Sequence, residues 1–531
     1  MFEISSGSRK LNLIQGRESR NFARAQQRWV VSCLLAASLS AFATSAAAAP
    51  KAMSKAPPAA PKFATTLEGG TGLPASAYPF MSEAQFQDLM KKARKGERRI
   101  ASNGYDFEGS LSPQFKNFRE RFLQVTQASE IDPLLAKLEA EFDTYPADLK
   151  LVASQIIPLR EWRGFVYRFR PLAEKARVVH SMLLTTVQDM ASNMRIYIPT
   201  RQAEALFAYM TQPYDGVTQF KEAEDLQQWA VQRVYPAMVK ASDRVRALDL
   251  SRPVVWDNKV FYGIGSFPDN LDRYSLVGEP ERRALLAASH QGMAFTTAFR
   301  AYSVKGLFDL SVRLGKLYGF DGFLGGQVEG APMEDRVAQF RRYPNLFLLY
   351  ADGADWTQLS WRHVRESVYW TAAAWEEIKD KPESELSALN PIFFQTFRRG
   401  IGNQINDWKA LVAGPTTLRS RVTNETVTVH LEQLYRNPPA DMKSLMPTAF
   451  EGGPRSTSMQ IKQRDARGRE VAQAVEYRNY FRGRATDWNL SAYKPWMTSL
   501  SSGSEVGRAQ RILSQSWGGS LMAMPLTNFV E

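Results

Sequence analysis

Trp356-Thr-Gln-Leu359-Ser-Trp361-Arg-His363-Val364-Arg-Glu366-Ser-Val368-Tyr-Trp370-Thr-Ala372-Ala-Ala374-Trp375-Glu-Glu-Ile378-Lys379 carries two stripes at once. Trp361, Val364, Val368, Ala372, Trp375 and Ile378 recur every three or four residues, the period of one helix face. Trp356, Leu359, His363, Glu366, Trp370 and Ala374 form a second stripe on roughly the opposite side. A helix with aromatic residues on two sides is expected between layers of other helices. Upstream, Ala284 to Phe299 contains no formal charge and is rich in Ala, Ser, Thr and Gly292. That run is too short to span a bilayer, so it is expected to be a central helix closely packed by neighbours. The fold class that follows is mainly α, a multi-helix globular body with a small, partly β C-terminal region.

The same grammar extends toward the N-terminus. Ser82 with Gln85 has capping-box spacing, and Phe86, Leu89, Met90 and Ala93 mark one helix face. Ser112-Pro113 opens a segment with Phe115, Phe118, Phe122 and Val125; Asp132-Pro133 opens another with Leu134, Leu135, Leu138 and Phe142. A longer pattern runs from Lys221 to Leu248, and Pro236 is expected to kink it. After Gly414 the period changes. Arg419 to Leu431 alternates around Asn424-Glu425, and Met459–Gln463 with Val471–Tyr477 flank the turn-like Asp465-Ala466-Arg467-Gly468. Pro253–Trp256 and Lys259–Tyr262, around Asp257-Asn258, suggest a smaller hairpin. The expected organisation is a signal peptide over 1–48, a Pro/Ala/Lys tether over 49–78, a helical body over 79–414 and an α+β region over 415–531.

The leader reading rests on Arg20, Arg24 and Arg28, the apolar run Trp29 to Phe42, and the small residues Ala43 to Ala49 before Pro50. Positive flank, short apolar core and small-residue cleavage site make a secretory signal, which places the chain in the periplasm or outside the cell. Cys33 precedes most of the apolar core, so it does not match a lipoprotein box, and no adjacent arginine pair supports a twin-arginine route. Cleavage removes Cys33, the single cysteine, and leaves a cysteine-free body without thiolate, zinc-cysteine or iron-sulfur chemistry. The 531 residues carry 67 basic and 54 acidic side chains; without residues 1–48, which hold six and two of these, the surplus is +9. A modest, dispersed surplus permits attraction to anionic polymers or peripheral contact with a lipid surface. Nucleic acid is not an expected partner.

Local catalytic signatures are few. The four histidines, His180, His290, His363 and His430, lie far apart in sequence, so HExxH-type metal motifs are missing. No P-loop, GxGxxG or G-x-S-x-G occurs, and neither metal nor cofactor is expected. The best local pair is His363 with Glu366, spaced for a carboxylate to orient an imidazole in acid–base work. Trp356 and Trp370 flank it as a conceivable stacking wall for a sugar ring. A buried pair that merely positions the helix uses the same spacing and is the weightier reading. Asp321 and Glu329 in the glycine-rich loop Gly319–Gly330 offer two carboxylates near flexible backbone. Arg163 and Arg168 interleave with Trp162, Phe165, Tyr167 and Phe169, as do Arg482 and Arg484 with Tyr480 and Phe481. Such mixtures bind acidic glycans, lipid headgroups or a partner, or else bury the rings and leave the arginine heads wet.

Two functions fit. The first is an exported helical binding or interaction protein of the cell envelope, whose partner is envelope polymer, acidic glycan or another protein. The second is a polysaccharide hydrolase or lyase working through His363 and Glu366.

Overall fold

The computed structural model describes residues 78–95, 105–176, 200–250, 252–257, 274–318, 333–380, 404–451, 454–464, 470–480 and 484–517, with positions 260 and 402. The segments expected to be a signal peptide and, nearly all of it, a tether, together with the glycine-rich loop and His180, lie outside the described residues. What is described is 64% helical, which makes the protein mainly α with small β elements. Among the described residues, no helix is long and apolar enough to cross a membrane.

Two long helices, Glu279–Ala301 and Gly353–Ile378, form the axis. They run antiparallel in a fixed register. Ser360 Oγ donates to the Ala294 carbonyl (2.7 Å), Ser367 Oγ to the Ala287 carbonyl (2.9 Å), and Arg283 pairs with Glu377 further along. Small side chains permit this approach: Ala287, Ala294, Ala372, Ala373 and Gly292 are all buried. At the crossing end, a Cβ on Gly353 would stand 2.4 Å from the Ala301 carbonyl oxygen, so only glycine fits there. Gln227 seals the same end, its Nε2 donating to the Tyr302 carbonyl at 2.6 Å while its Oε1 accepts from Tyr350 at 3.0 Å. These bonds satisfy groups that a helix C-terminus leaves without intrahelical partners.

Apart from half-buried Trp356 and Trp375, both stripes of Gly353–Ile378 are buried, but in different layers. Trp361, Val364, Val368 and Ala372 join one large core with Phe86, Trp229, Trp408 and Trp496. Trp370 enters a separate cluster with Leu286 and Leu151, and Leu359 a third with Tyr235 and Met293. A further core holds the N-terminal helices through Phe115, Phe118, Leu135 and Leu138.

The N-terminal caps follow the sequence. Ser82 Oγ accepts from the Gln85 N–H and the Gln85 side chain accepts from the Ser82 N–H, opening helix Glu83–Arg94. Ser112 opens Pro113–Leu123 with one half of that arrangement, its Oγ accepting from the Phe115 N–H at 3.1 Å. Around Pro236 the chain does more than kink. Helix Ala223–Trp229 passes into a π turn, Ala230–Val234, before Tyr235–Ala247 begins. The wide turn accommodates a proline that lacks the N–H of a regular ladder.

Strands are paired two by two. Thr416–Arg419 pairs with Thr426–Val429, Pro447–Glu451 with Arg484–Trp488, and Pro454–Arg464 with Glu470–Tyr480, all antiparallel. The small hairpin expected at 253–262 is replaced by another pairing: Val254–Asp257 pairs with Tyr274–Val277. Asp257, read as a turn residue, is instead fully buried and ion-paired with Arg119 at 2.9 Å. Leu418, Val427, Tyr493 and Ile512 belong to the same core as Phe86 and Val368, so the C-terminal region packs directly on the helices.

Candidate functional site

The middle of the two long helices is polar where its surroundings are apolar. His290, in the charge-free run, meets His363 across the helix pair, Nδ1 to Nδ1 at 3.0 Å, although 73 residues separate them. Both are fully buried. His363 Nε2 reaches the Tyr235 hydroxyl at 3.0 Å, and His290 Nε2 reaches that of Tyr78 at 3.1 Å. Tyr235 directly follows the π turn, which makes that irregularity the feature that delivers its hydroxyl to the histidines. Tyr78 also touches Ser242 Oγ at 3.3 Å and accepts from Arg246 Nη2 at 2.6 Å.

Proton placement is constrained. Two imidazoles can share an Nδ1···Nδ1 hydrogen bond only if one of those nitrogens is protonated and the other bare. One arrangement gives every hydroxyl proton an acceptor. Tyr235 O–H donates to His363 Nε2, His363 Nδ1–H to His290 Nδ1, His290 Nε2–H to Tyr78, and Tyr78 O–H to Ser242. Both rings are then neutral, as burial demands. Burial, with Arg246 nearby, holds the His363 imidazole down to about 3. Burial, the His363 ring and Arg246 hold His290 well below the usual histidine range. Burial pushes the Tyr78 phenol up to about 12, although Arg246 opposes it.

Glu366 does not orient His363. Its Oε2 accepts from the Met81 N–H at 2.9 Å and its Oε1 lies 3.5 Å from Arg246 Nη2. Burial pushes its carboxyl upward, partly offset by Met81 and Arg246. The expected stacking wall does not form either. Trp356 and Trp370 stand about 21 Å apart along the helix at 1.5 Å per residue. Trp356 is half-buried, with Nε1 on Asp352, whereas Trp370 is 6% exposed in a core.

Arg163 pairs with Asp132 at 3.0 Å and lies over the Tyr214 ring. Arg168 donates to the Thr218 carbonyl and lies over Phe220. The neighbouring rings Phe165 and Phe169 are buried while both arginines are half-buried and engaged with internal partners, so this segment has the form of an amphipathic packing element. Asp321 and Glu329 lie outside the described residues. His430 is placed apart from the pair, its backbone N–H on the Trp496 carbonyl.

The sealed cluster has an accessible neighbour. The strap Tyr78-Pro79-Phe80-Met81-Ser82 crosses the Gly353–Ile378 helix, with the Phe80 ring 4.9 Å from His363 on one side and Arg362 5.9 Å from it on the other. Beyond it opens a cleft of about 390 Å³ bordered by Phe80, Trp361, Arg362, Arg365, Glu432 and Arg436. Arg436 pairs with Glu432 at 2.7 Å. Among the described residues, Arg362 and Arg365 form no ion pair; they lie near the rings of Phe80 and Tyr369.

No protein-family profile, curated protein or solved structure matches the chain.

A general base has to come within hydrogen-bond reach of the proton it abstracts, and neither imidazole is exposed. A zinc site takes three or four ligands; among the described residues no group of three His, Cys, Asp or Glu converges. The cleft, in contrast, presents two unpaired guanidinium groups beside aromatic rings, a combination that receives carboxylates and sugar faces.

His290, Tyr78, Tyr235 and Arg246 were not singled out from sequence. One signal was available: a lone histidine lies near the centre of each of the two helices read as central.

Proposed function

We propose that the protein is an exported binding protein of the cell envelope that holds an acidic glycan in the arginine cleft. The observation that carries this reading is the pair Arg362 and Arg365, accessible and unpaired with any described carboxylate beside Phe80. Export is supported by the leader motif, and the anionic preference by the surplus of basic residues. A uronate polymer offers carboxylates at regular spacing and pyranose faces for stacking. Arg436 already has Glu432 and supplies less of the attraction. The alternative, a hydrolase or lyase using His363 and Glu366, is less well supported, because its base and its acid both serve internal hydrogen bonds.

Calorimetric titration with oligogalacturonate of defined length tests the proposal. Arg362→Ala combined with Arg365→Ala should weaken binding by about 100-fold or more, since each charge-assisted hydrogen bond contributes about 1.5–3 kcal/mol. Affinity should also fall as salt rises. Equal binding of a neutral oligosaccharide, or unchanged affinity in the double variant, would reject it.

A further inference from the structure

We propose that the strap Tyr78–Ser82 is a proton-sensitive latch on the arginine cleft, released when the His290–His363 pair takes up additional protons. The latch regulates the site assigned above and rests on that assignment only for its effect on ligand.

Four consecutive strap residues are each fastened to the buried cluster. Tyr78 binds His290 and Arg246; the Pro79 carbonyl accepts from Arg246 Nη1 at 2.9 Å; Phe80 packs on His363; the Met81 N–H donates to Glu366. Phe80, Met81 and Ser82 are at the same time one wall of the cleft. Ser82 at its far end caps helix Glu83–Arg94, which is stacked on Tyr369 through Phe86, so the Tyr78–Met81 part of the wall is the part that the cluster holds.

The pair carries two protons on four ring nitrogens when neutral. A third proton fits geometrically, on His363 Nε2 facing Tyr235, but it buries a positive charge. A fourth would set two N–H groups against each other across 3.0 Å. Neither ring has a carboxylate on it to offset the charge. The groups around the pair are Tyr235, Ser242 and Arg246 from helix Tyr235–Ala247, with Asp243 acting through Tyr78, Tyr78 itself from the strap, and Glu366 from the helix of His363, whose Arg362 and Arg365 border the cleft instead. Arg246 is the cation in contact with Tyr78, and Glu366 is bound to the Met81 N–H. No ionisable side chain of helix Glu279–Ala301 other than His290 joins the cluster among the described contacts.

Imidazoles freed to water titrate near pH 6.5. Protonation therefore favours the open strap as pH falls below that value, by roughly 30-fold at pH 5.0 for each imidazole that charges only when open. Uronate carboxylates and arginines keep most of their charge across this interval. A change in affinity between pH 7.5 and 5.0 then reports on the protein.

Hydrogen exchange of the Met81 amide in the full chain, corrected for the intrinsic pH dependence of exchange, reads the latch without any ligand. Protection should fall about 30-fold or more from pH 7.5 to pH 5.0. Tyr78→Phe, which keeps both imidazoles but cuts the anchor, should lower protection already at pH 7.5. His290→Gln should flatten the pH response, and Tyr78→Phe keeps the test open if that variant fails to fold. Oligogalacturonate affinity measured alongside should fall with protection. Loss of protection with no glycan binding at any pH would remove the glycan reading and leave the latch standing. Unchanged Met81 protection at pH 5.0 would overturn the latch, whether or not glycan binds.

Discussion

His363 and Arg362 are neighbours in sequence, yet they belong to opposite worlds. One residue of helix is a rotation of about 100°, enough to carry a side chain from a sealed core to an open cleft. The inner side of Gly353–Ile378 holds the residue types associated with catalysis, and packing has claimed all of them. The outer side holds residue types usually dismissed as solvated, and these remain available. Residue type suggests what a group can do; burial and prior partners decide whether anything outside can use it.

The contrast can be broken most forcefully with acid. His363 and His290 both have lowered affinity for protons in the folded chain, so stability is intact above pH 6.5 and is lost as pH falls below it, for His363 down to about 3. By pH 5 the His363 imidazole should remove about 2 kcal/mol and His290 should act in the same direction, read as a falling urea midpoint, whereas cleft arginines should not respond. A midpoint constant down to pH 5 would mean that the pair is not held neutral. Arg246→Ala comes next. It takes donors from Tyr78 and Pro79 and leaves Glu366 without its nearest cation, so unfolding should become easier by about 2–3 kcal/mol. Arg362→Ala, on the outer side, should stay within about 0.5 kcal/mol of the parent in the same experiment. The mildest probe is Ser367→Ala, which deletes the bond to the Ala287 carbonyl and should cost about 1 kcal/mol while glycan binding at neutral pH is unchanged. Equal losses of binding from inner and outer substitutions would erase the distinction between the two sides.

Much of the architecture is legible locally. Ser82 with Gln85 and Ser112 with Pro113 fix helix starts through chemistry contained within four residues. Alternation over Met459–Gln463 and Val471–Tyr477 falls within the paired strands Pro454–Arg464 and Glu470–Tyr480, and that over Arg419–Leu431 contains the strand Thr426–Val429, whose partner Thr416–Arg419 lies mostly before it. What escaped depends on distance. Asp257 resembles a turn residue until Arg119, far upstream, gives it a buried partner. Glu366 and His363 satisfy a helix-spacing rule, but Met81 and Tyr235 reach them first. The π turn before Pro236 has no signature except the proline itself. The cluster is assembled from four separated segments, and no sequence window contains more than a fragment of it.

The contacts Ser360 to Ala294, His363 to His290 and Ser367 to Ala287 climb the two long helices in matched steps. Such a pairing behaves like a gear train: deleting a single residue from either helix turns every later tooth by more than a quarter revolution. Evolution can exchange the teeth of this mechanism, but it has little freedom to change their number.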